Sequence, residues 1–177
     1  MLDRAKTRVT VDVSDAKVSD DPADVLVTYS LGSCIGICLY DPLRRLGGML
    51  HYQLPDSKMD TQCAKGRPFM FADTGMKILL DTLICRGADK KRMQVIVVGG
   101  SEMGLGPHGF NIGKRNYLAI RRILWGNGMF VDAEDVGGSS PRSLYLDIAD
   151  GTVTVRCDGQ ERTFQRSCGP ARCRSSA

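Results

Sequence analysis

Two side chains in this sequence could make a nucleophile and its base: Cys34, in LGSCIGICLY, and His51, in GGMLHYQL. An imidazole facing a thiol can take its proton, and the thiolate can then attack a carbonyl carbon. The two stretches read as strands, Ser33 to Tyr40 and Leu46 to Leu54, with Asp41-Pro42 opening a turn between them. If Asp41 to Arg44 form the loop, Tyr40 pairs with Arg45 and Cys34 falls directly opposite His51. A one-residue slip would send them to opposite faces, so the pairing hangs on the loop. Gly32-Ser33 precedes the thiol as a small, tight turn that leaves it open to substrate and offers backbone N–H groups to an oxyanion. Thr28, on the preceding apolar run Val25 to Ser30, carries a hydroxyl able to fix the imidazole tautomer. On the residues alone a plainer reading stands beside this one. A cysteine in an apolar run is commonly a small buried hydrophobe, and a histidine commonly a satisfied, half-buried residue. His108, the other of the two histidines, competes for the base role but lies in a glycine-rich loop.

The elements that must position these groups follow from the patterning. Arg8 to Val13 alternates as an edge strand, and Lys17 to Asp24 is a polar loop. Asp56 to Pro68 is polar and aperiodic, the kind of long loop that borders a site. Met70 to Cys85 reads as a helix with Ala72, Met76, Leu79, Leu80, Leu83 and Ile84 on one face. Met93 to Val98 is a continuous apolar strand of the fully buried kind. The glycines from Gly104 to Gly109 match a dinucleotide fingerprint only in spacing, since Pro107 interrupts them and no strand-to-helix junction surrounds them. Lys114 to Asn127 is a second helix, with Tyr117, Ile120, Ile123 and Leu124 inward and Arg115, Arg121 and Arg122 outward. Met129 to Ala133 follows as a strand. Glu134-Asp135, beside the Gly137-Gly138 turn, is expected to cap that turn rather than to orient a histidine. Arg142 to Ile148 and Thr152 to Cys157 form a hairpin about Asp150-Gly151, and Glu161 to Gln165 adds a short strand. The expected fold is an α/β (α+β) sandwich: a mostly antiparallel sheet with two main helices in a single domain, residues 1–165. Residues 166–177 are expected to be a disordered basic tail.

Composition narrows the function classes. The 177 residues suffice for one core without staples, and 42% hydrophobic with 25% charged is ordinary for a soluble globular protein. No apolar run reaches a bilayer span and the N-terminus lacks a signal-peptide core, so the chain is expected to be cytoplasmic, with no membrane insertion. Seven cysteines without framework spacing then imply reduced thiols. Cys34 and Cys38 share a strand face at a separation too great for a disulfide, which argues against a thiol redox sensor. Cys168 and Cys173 have no histidine near them, so a zinc site is not expected. A net charge of +4, dispersed and without interleaved aromatics, argues against nucleic acid.

A longer set of motifs runs through the chain in order. Thr28, Leu31-Gly32-Ser33-Cys34, Tyr40-Asp41-Pro42, Gly47-Gly48-Met49-Leu50-His51 and Leu54-Pro55-Asp56-Ser57 come first. Phe71-Ala72-Asp73-Thr74, Asn111-Ile112-Gly113, Arg115-Asn116, Glu134-Asp135-Val136-Gly137-Gly138 and Arg142-Ser143 follow. From about Val25 to Arg156 the sequence resembles the chemoreceptor glutamine deamidases, the CheD family. It departs from the usual family pattern at Tyr29-Ser30 and at Ser101, after Val98-Gly99-Gly100. The resemblance implies a cysteine-dependent amidohydrolase with Cys34 as nucleophile, His51 as base, Thr28 as third member and Gly32-Ser33 in the oxyanion loop. It implies no metal or organic cofactor. The implied substrates are glutamines on the cytoplasmic domains of methyl-accepting chemoreceptors, with glutamyl methyl esters open to the same acyl-enzyme route. The implied regulatory partner is a CheC-type phosphatase, and the rival reading is a docking module without catalysis. An activated thiol should make Cys34 the fastest of the seven cysteines to alkylate at neutral pH.

Overall fold

The computed structural model describes residues 5–102 and 111–165. The elements in chain order are β1 (Thr7–Thr10), β2 (Asp15–Ser19), β3 (Asp24–Leu31), β4 (Ile35–Asp41), β5 (Leu46–Tyr52), α1 (Thr61–Gly66), α2 (Ala72–Cys85), β6 (Gln94–Gly99), α3 (Ile112–Gly126), β7 (Ala133–Val136), β8 (Arg142–Asp147), β9 (Val153–Cys157) and β10 (Gln160–Phe164). They form two five-stranded sheets, ordered β1-β3-β8-β9-β10 and β2-β5-β4-β6-β7. Only β1–β3 and β6–β7 pair in parallel; the other pairings are antiparallel, so the α+β sandwich with a mostly antiparallel sheet holds.

Burial explains the layering. Every residue of β4, β5 and β6 is buried, because this sheet is covered on both faces. On one side Ile35, Ile37, Leu39 and Leu50 meet Met76, Leu79 and Leu83 of α2 and Ile120 and Leu124 of α3. On the other, Cys38, Met49, Ile96 and Val98 meet Leu26, Leu144, Leu146 and Val155 of the second sheet. β8 alternates buried and half-buried residues, as a strand covered on one face must.

Several boundaries differ from the expected ones. The stretch read as a single N-terminal strand and a polar loop is two strands in two different sheets. β1 lies against β3, whereas β2 is the edge partner of β5. Ile84, expected inward on α2, is 43% exposed. The strand after α3 is β7, later than Met129 to Ala133, and it contains Glu134 and Asp135. The turn between β4 and β5 is Pro42 to Arg45, because Asp41 pairs with Leu46 inside the ladder. Asp41 is held there by what surrounds it. Its carboxylate is fully buried, meets Arg92 at 2.7 Å and accepts the Leu43 and Asp89 N–H groups. Arg45 closes the turn in the left-handed region at φ 48°. The glycine-rich loop with His108, and the tail from residue 166 with Cys168 and Cys173, lie outside the described residues. Among the described residues no helix is long and apolar enough to cross a membrane.

Candidate active site

The chain crosses between the sheets three times at the same end of the sandwich, the third time in residues 137–141 from β7 to β8. Residues 11–14 carry it from β1 to β2, with Val11 N–H on Val27 O at 2.8 Å and Ser14 N–H on His51 O at 2.9 Å. The bend Gly32 to Cys34 carries it from β3 to β4. Thr28, Cys34 and His51 therefore gather where the two sheets exchange strands.

Thr28 and His51 are each 1% exposed and belong to opposite sheets, yet Thr28 Oγ1 lies 2.8 Å from His51 Nδ1. The approach is possible because the residue opposite His51 on β4 is Gly36. A Cβ there would come within 2.8 Å of Leu31 and 2.9 Å of Leu144 on the facing sheet, so a side chain at this point would hold the layers apart. With Nδ1 occupied by the hydroxyl, Nε2 is the remaining nitrogen, and it is buried without a hydrogen-bond partner among the described residues. Burial pushes the His51 pKa down to about 4, against a smaller upward pull from Asp12. The ring is neutral at physiological pH, as a base must be before it accepts a proton.

Cys34 is not directly opposite His51. The ladder places it two positions further along, beyond Ile35, the first residue of β4. The cause is the turn: with Asp41 inside the ladder, every partner shifts by two. A two-residue shift keeps the strand parity, so Cys34 is a diagonal neighbour of His51. The thiol is half-buried and packs against the core between the sheets. No hydrogen bond joins it to His51 Nε2. Burial pushes the Cys34 thiol up, and its own backbone N–H, facing the sulfur, only partly offsets this. The free protein thus holds a protonated thiol and a neutral imidazole, not the pre-formed thiolate that a directly facing pair would give. Cys38 is fully buried and its thiol is pushed up further by burial alone, as for an inert core cysteine.

The bend that presents Cys34 is held from three sides. Gly32 N–H returns to Ser30 O at 2.9 Å, and Ser30 takes φ 57° at a bulge between Thr28 and Leu31. From the end of β6, Gly100 N–H donates to Cys34 O and Ser101 N–H to Gly32 O, both at 2.8 Å. Gly99, at φ 111°, must be glycine here because a Cβ would collide with the Cys34 carbonyl oxygen. From α3, the fully buried Asn116 donates through Nδ2 to Ser33 O at 2.9 Å and to Gln53 O at 2.7 Å. It thereby ties the entry to β4 to the exit from β5. Behind Ser101, Arg142 donates to its hydroxyl at 2.8 Å and to Asp135 at 2.8 Å, in an ion pair of nearly buried side chains.

Asn116, Ser101 and Arg142 entered the sequence reading only as motif letters without a role. What marks them is a buried polar residue, on α3 for Asn116, on β8 for Arg142 and just past β6 for Ser101, and burial is not legible in a letter. Glu134 and Asp135 do not reach His51: Glu134 meets Tyr117 and Arg121, and Asp135 meets Arg142. Among the described residues, no three His, Cys, Asp or Glu side chains cluster as metal ligands would.

Comparison with known proteins gives a consistent picture. The family described as CheD chemotactic sensory transduction matches residues 53–157, a span that begins just after His51. Three curated relatives are each 43% identical to this chain. The probable chemoreceptor glutamine deamidase CheD of Solibacter usitatus (strain Ellin6076) aligns over 88% of this chain and 92% of its own length. The protein named CheD 1 of Syntrophus aciditrophicus (strain SB) aligns over 85% and 94%, and CheD 2 of Anaeromyxobacter dehalogenans (strain 2CP-C) over 86% and 96%. Both of the latter bear the same probable deamidase name. Among solved structures, Bacillus licheniformis hypothetical protein YfiH aligns with a TM-score of 0.43 at 13% identity, over 74% of this chain and 59% of that one, too loosely to inform the chemistry.

Proposed function

Since this chain belongs to the CheD family, we propose that it deamidates glutamine side chains of chemoreceptors, turning them into glutamates through an acyl-enzyme on Cys34. The observation that best supports this reading is the Thr28 Oγ1–His51 Nδ1 contact of 2.8 Å, which leaves a neutral imidazole whose Nε2 is buried, with no hydrogen-bond partner among the described residues, beside the bend bearing Cys34.

As Cys34 Sγ attacks the carboxamide carbon, its proton passes to His51 Nε2. Because burial disfavours both the thiolate and the imidazolium, this transfer accompanies attack instead of preceding it. The imidazolium returns the proton to the leaving nitrogen, the C–N bond breaks and ammonia departs, leaving a thioester. Water then gives a proton to the same nitrogen and adds to the thioester carbon. The C–S bond breaks, glutamate leaves and sulfur recovers its proton. The tetrahedral oxyanion is assigned to the N–H groups of Ser33 and of Cys34, the latter facing its own sulfur, since the Gly32 N–H is given to Ser30 O. Glutamyl methyl esters would enter by the same attack with methanol leaving. A CheC-type phosphatase is the proposed regulatory partner, and the reaction is placed in the cytoplasm. The reading is tested by incubating the protein with a chemoreceptor cytoplasmic fragment and mapping peptides by mass. Conversion of specific glutamines to glutamates supports it; a fragment left unchanged at enzyme excess refutes it.

A further inference from the structure

We propose that the outward face of α3, with the groove between it and the Pro55–Asp56 turn, docks an acidic amphipathic helix of the substrate protein. This rests on the deamidase reading and adds the surface by which substrate is chosen. α3 carries Lys114, Arg115, Arg121 and Arg122 over Ile112–Gly126 and not one acidic residue. Arg121 is engaged with Tyr117 and Glu134, whereas Lys114 and Arg122 have no ion-pair partner among the described residues. Helical spacing sets Lys114, Leu118, Arg122 and Trp125 on one side, opposite the buried Ile120 and Leu124. Apolar groups are exposed on that side: Leu118 is 42% exposed and Trp125 72%, and Trp125 meets Phe130, itself 66% exposed, edge-on at 5.6 Å. A groove of about 290 Å³ runs alongside, its walls including Pro55, Leu118, Ala119, Arg122 and Ile123. Its two carboxylates are already engaged within the chain, Asp73 with Ser57 and Asp56 with the Lys58 N–H.

The position of the face matters as much as its composition. Asn116, on the same helix, holds Ser33 O and Gln53 O, so the N-terminal part of α3 lies against the bend that carries Cys34, and the groove beside it opens at Pro55, two residues past Gln53. From Asn116 to Trp125 the helix advances about 14 Å, and from Leu118 to Trp125 about 10 Å, two turns of a helix laid alongside. That spacing suits apolar anchors at i and i+7 of a bound helix, flanked by carboxylates that meet Lys114 and Arg122. Such an arrangement would leave the rest of the same substrate free to pass round the end of the sheet, where the bend bearing Cys34 lies.

Trp125 is the only tryptophan in the chain and so reports directly on this face. The experiment titrates the Cys34→Ala protein with a chemoreceptor cytoplasmic fragment and follows Trp125 emission, while the parent protein is assayed for deamidation of the same fragment. The expected result is a saturable blue shift that weakens as salt is raised and a Kd at least ten-fold higher in Arg122→Glu. For Leu118→Asp, the ratio of kcat/KM on the fragment to that on a short glutamine peptide should also fall at least ten-fold. Deamidation with no Trp125 shift overturns the docking proposal alone. A shift without deamidation leaves the docking surface and overturns the deamidase reading. A shift produced by anionic vesicles or by DNA, but not by the fragment, overturns the assignment of a protein helix as occupant.

Discussion

Replacing Thr28 by Val tests the part of the site that the structure defines most closely. Valine keeps the branched shape and the strand preference while removing the hydroxyl. In its absence His51 Nδ1 loses its partner in a site where, among the described residues, Nε2 already has none, and the residue is 1% exposed. A buried polar group left unsatisfied costs about 1–3 kcal/mol. At about 2–4 °C per kcal/mol for a domain of this size, Tm should fall by roughly 2–12 °C. Turnover should fall as well, because the ring loses the contact that fixes its tautomer and orientation. If the same energy appears in the barrier, kcat drops roughly five- to 150-fold. The assays are thermal unfolding and ammonia release from a receptor fragment. A double-mutant cycle with His51→Ala then isolates the contact: once the imidazole is gone, Thr28→Val should cost little further stability, giving a coupling of about 1–3 kcal/mol. Additive losses of stability, or a Thr28→Val protein as active as its parent, would refute the reasoning and reduce Thr28 to a strand residue.

Three further outcomes are expected. His51 has a folded pKa of about 4 against an ordinary 6.5, so the unfolded chain binds the extra proton between those values. Stability should therefore be fully expressed above pH 6.5 and decline as pH falls toward 4, by roughly 3 kcal/mol from this group; denaturant titrations of His51→Gln should lack that part of the slope. Asn116→Ala removes both carbonyl tethers from the Cys34 bend, and should cost about 2–4 kcal/mol in denaturant unfolding while lowering kcat; unchanged turnover would show that the bend holds its shape without the tethers. Since burial keeps the Cys34 thiol protonated, iodoacetamide labelling followed by mass should find it slower than the exposed Cys85 at pH 7 and accelerating above pH 9. Rapid labelling of Cys34 at pH 7 would instead indicate a pre-formed thiolate.

The strongly periodic elements were legible in the sequence. α2, α3, the fully buried β6 and the β8–β9 hairpin all lie within a few residues of where spacing put them, because each buries one face or both against a large partner. β2 was not legible: Asp15-Ala16-Lys17-Val18-Ser19 is polar in letters, and it is a strand only because β5 offers it a free edge. The β4–β5 register was read two positions out. Asp-Pro reads as a turn opener, whereas here the buried ion pair with Arg92, far along the chain, holds Asp41 in the ladder. Period-2 parity survives the two-residue shift, so the expected shared face of Cys34 and His51 is kept while their expected direct opposition is lost. The contact of Thr28 with His51 crosses between sheets and has no periodic signature; a hydroxyl on the preceding apolar run suggests it, and the resemblance implies Thr28 as third member. The supports of the bend, Asn116 and the Arg142–Asp135 pair with Ser101, depend on which buried polar groups meet in space.

The central claim is that Cys34 carries the acyl group, and one measurement addresses it. Parent and Cys34→Ala proteins, first shown by circular dichroism and thermal unfolding to be equally folded, are incubated with the same chemoreceptor cytoplasmic fragment, and each glutamine site is read by peptide mass. Removal of the nucleophile leaves only the background rate, so glutamate should form with the parent and not with the variant. Conversion by Cys34→Ala at the parent's rate would place the nucleophile elsewhere and contradict the mechanism.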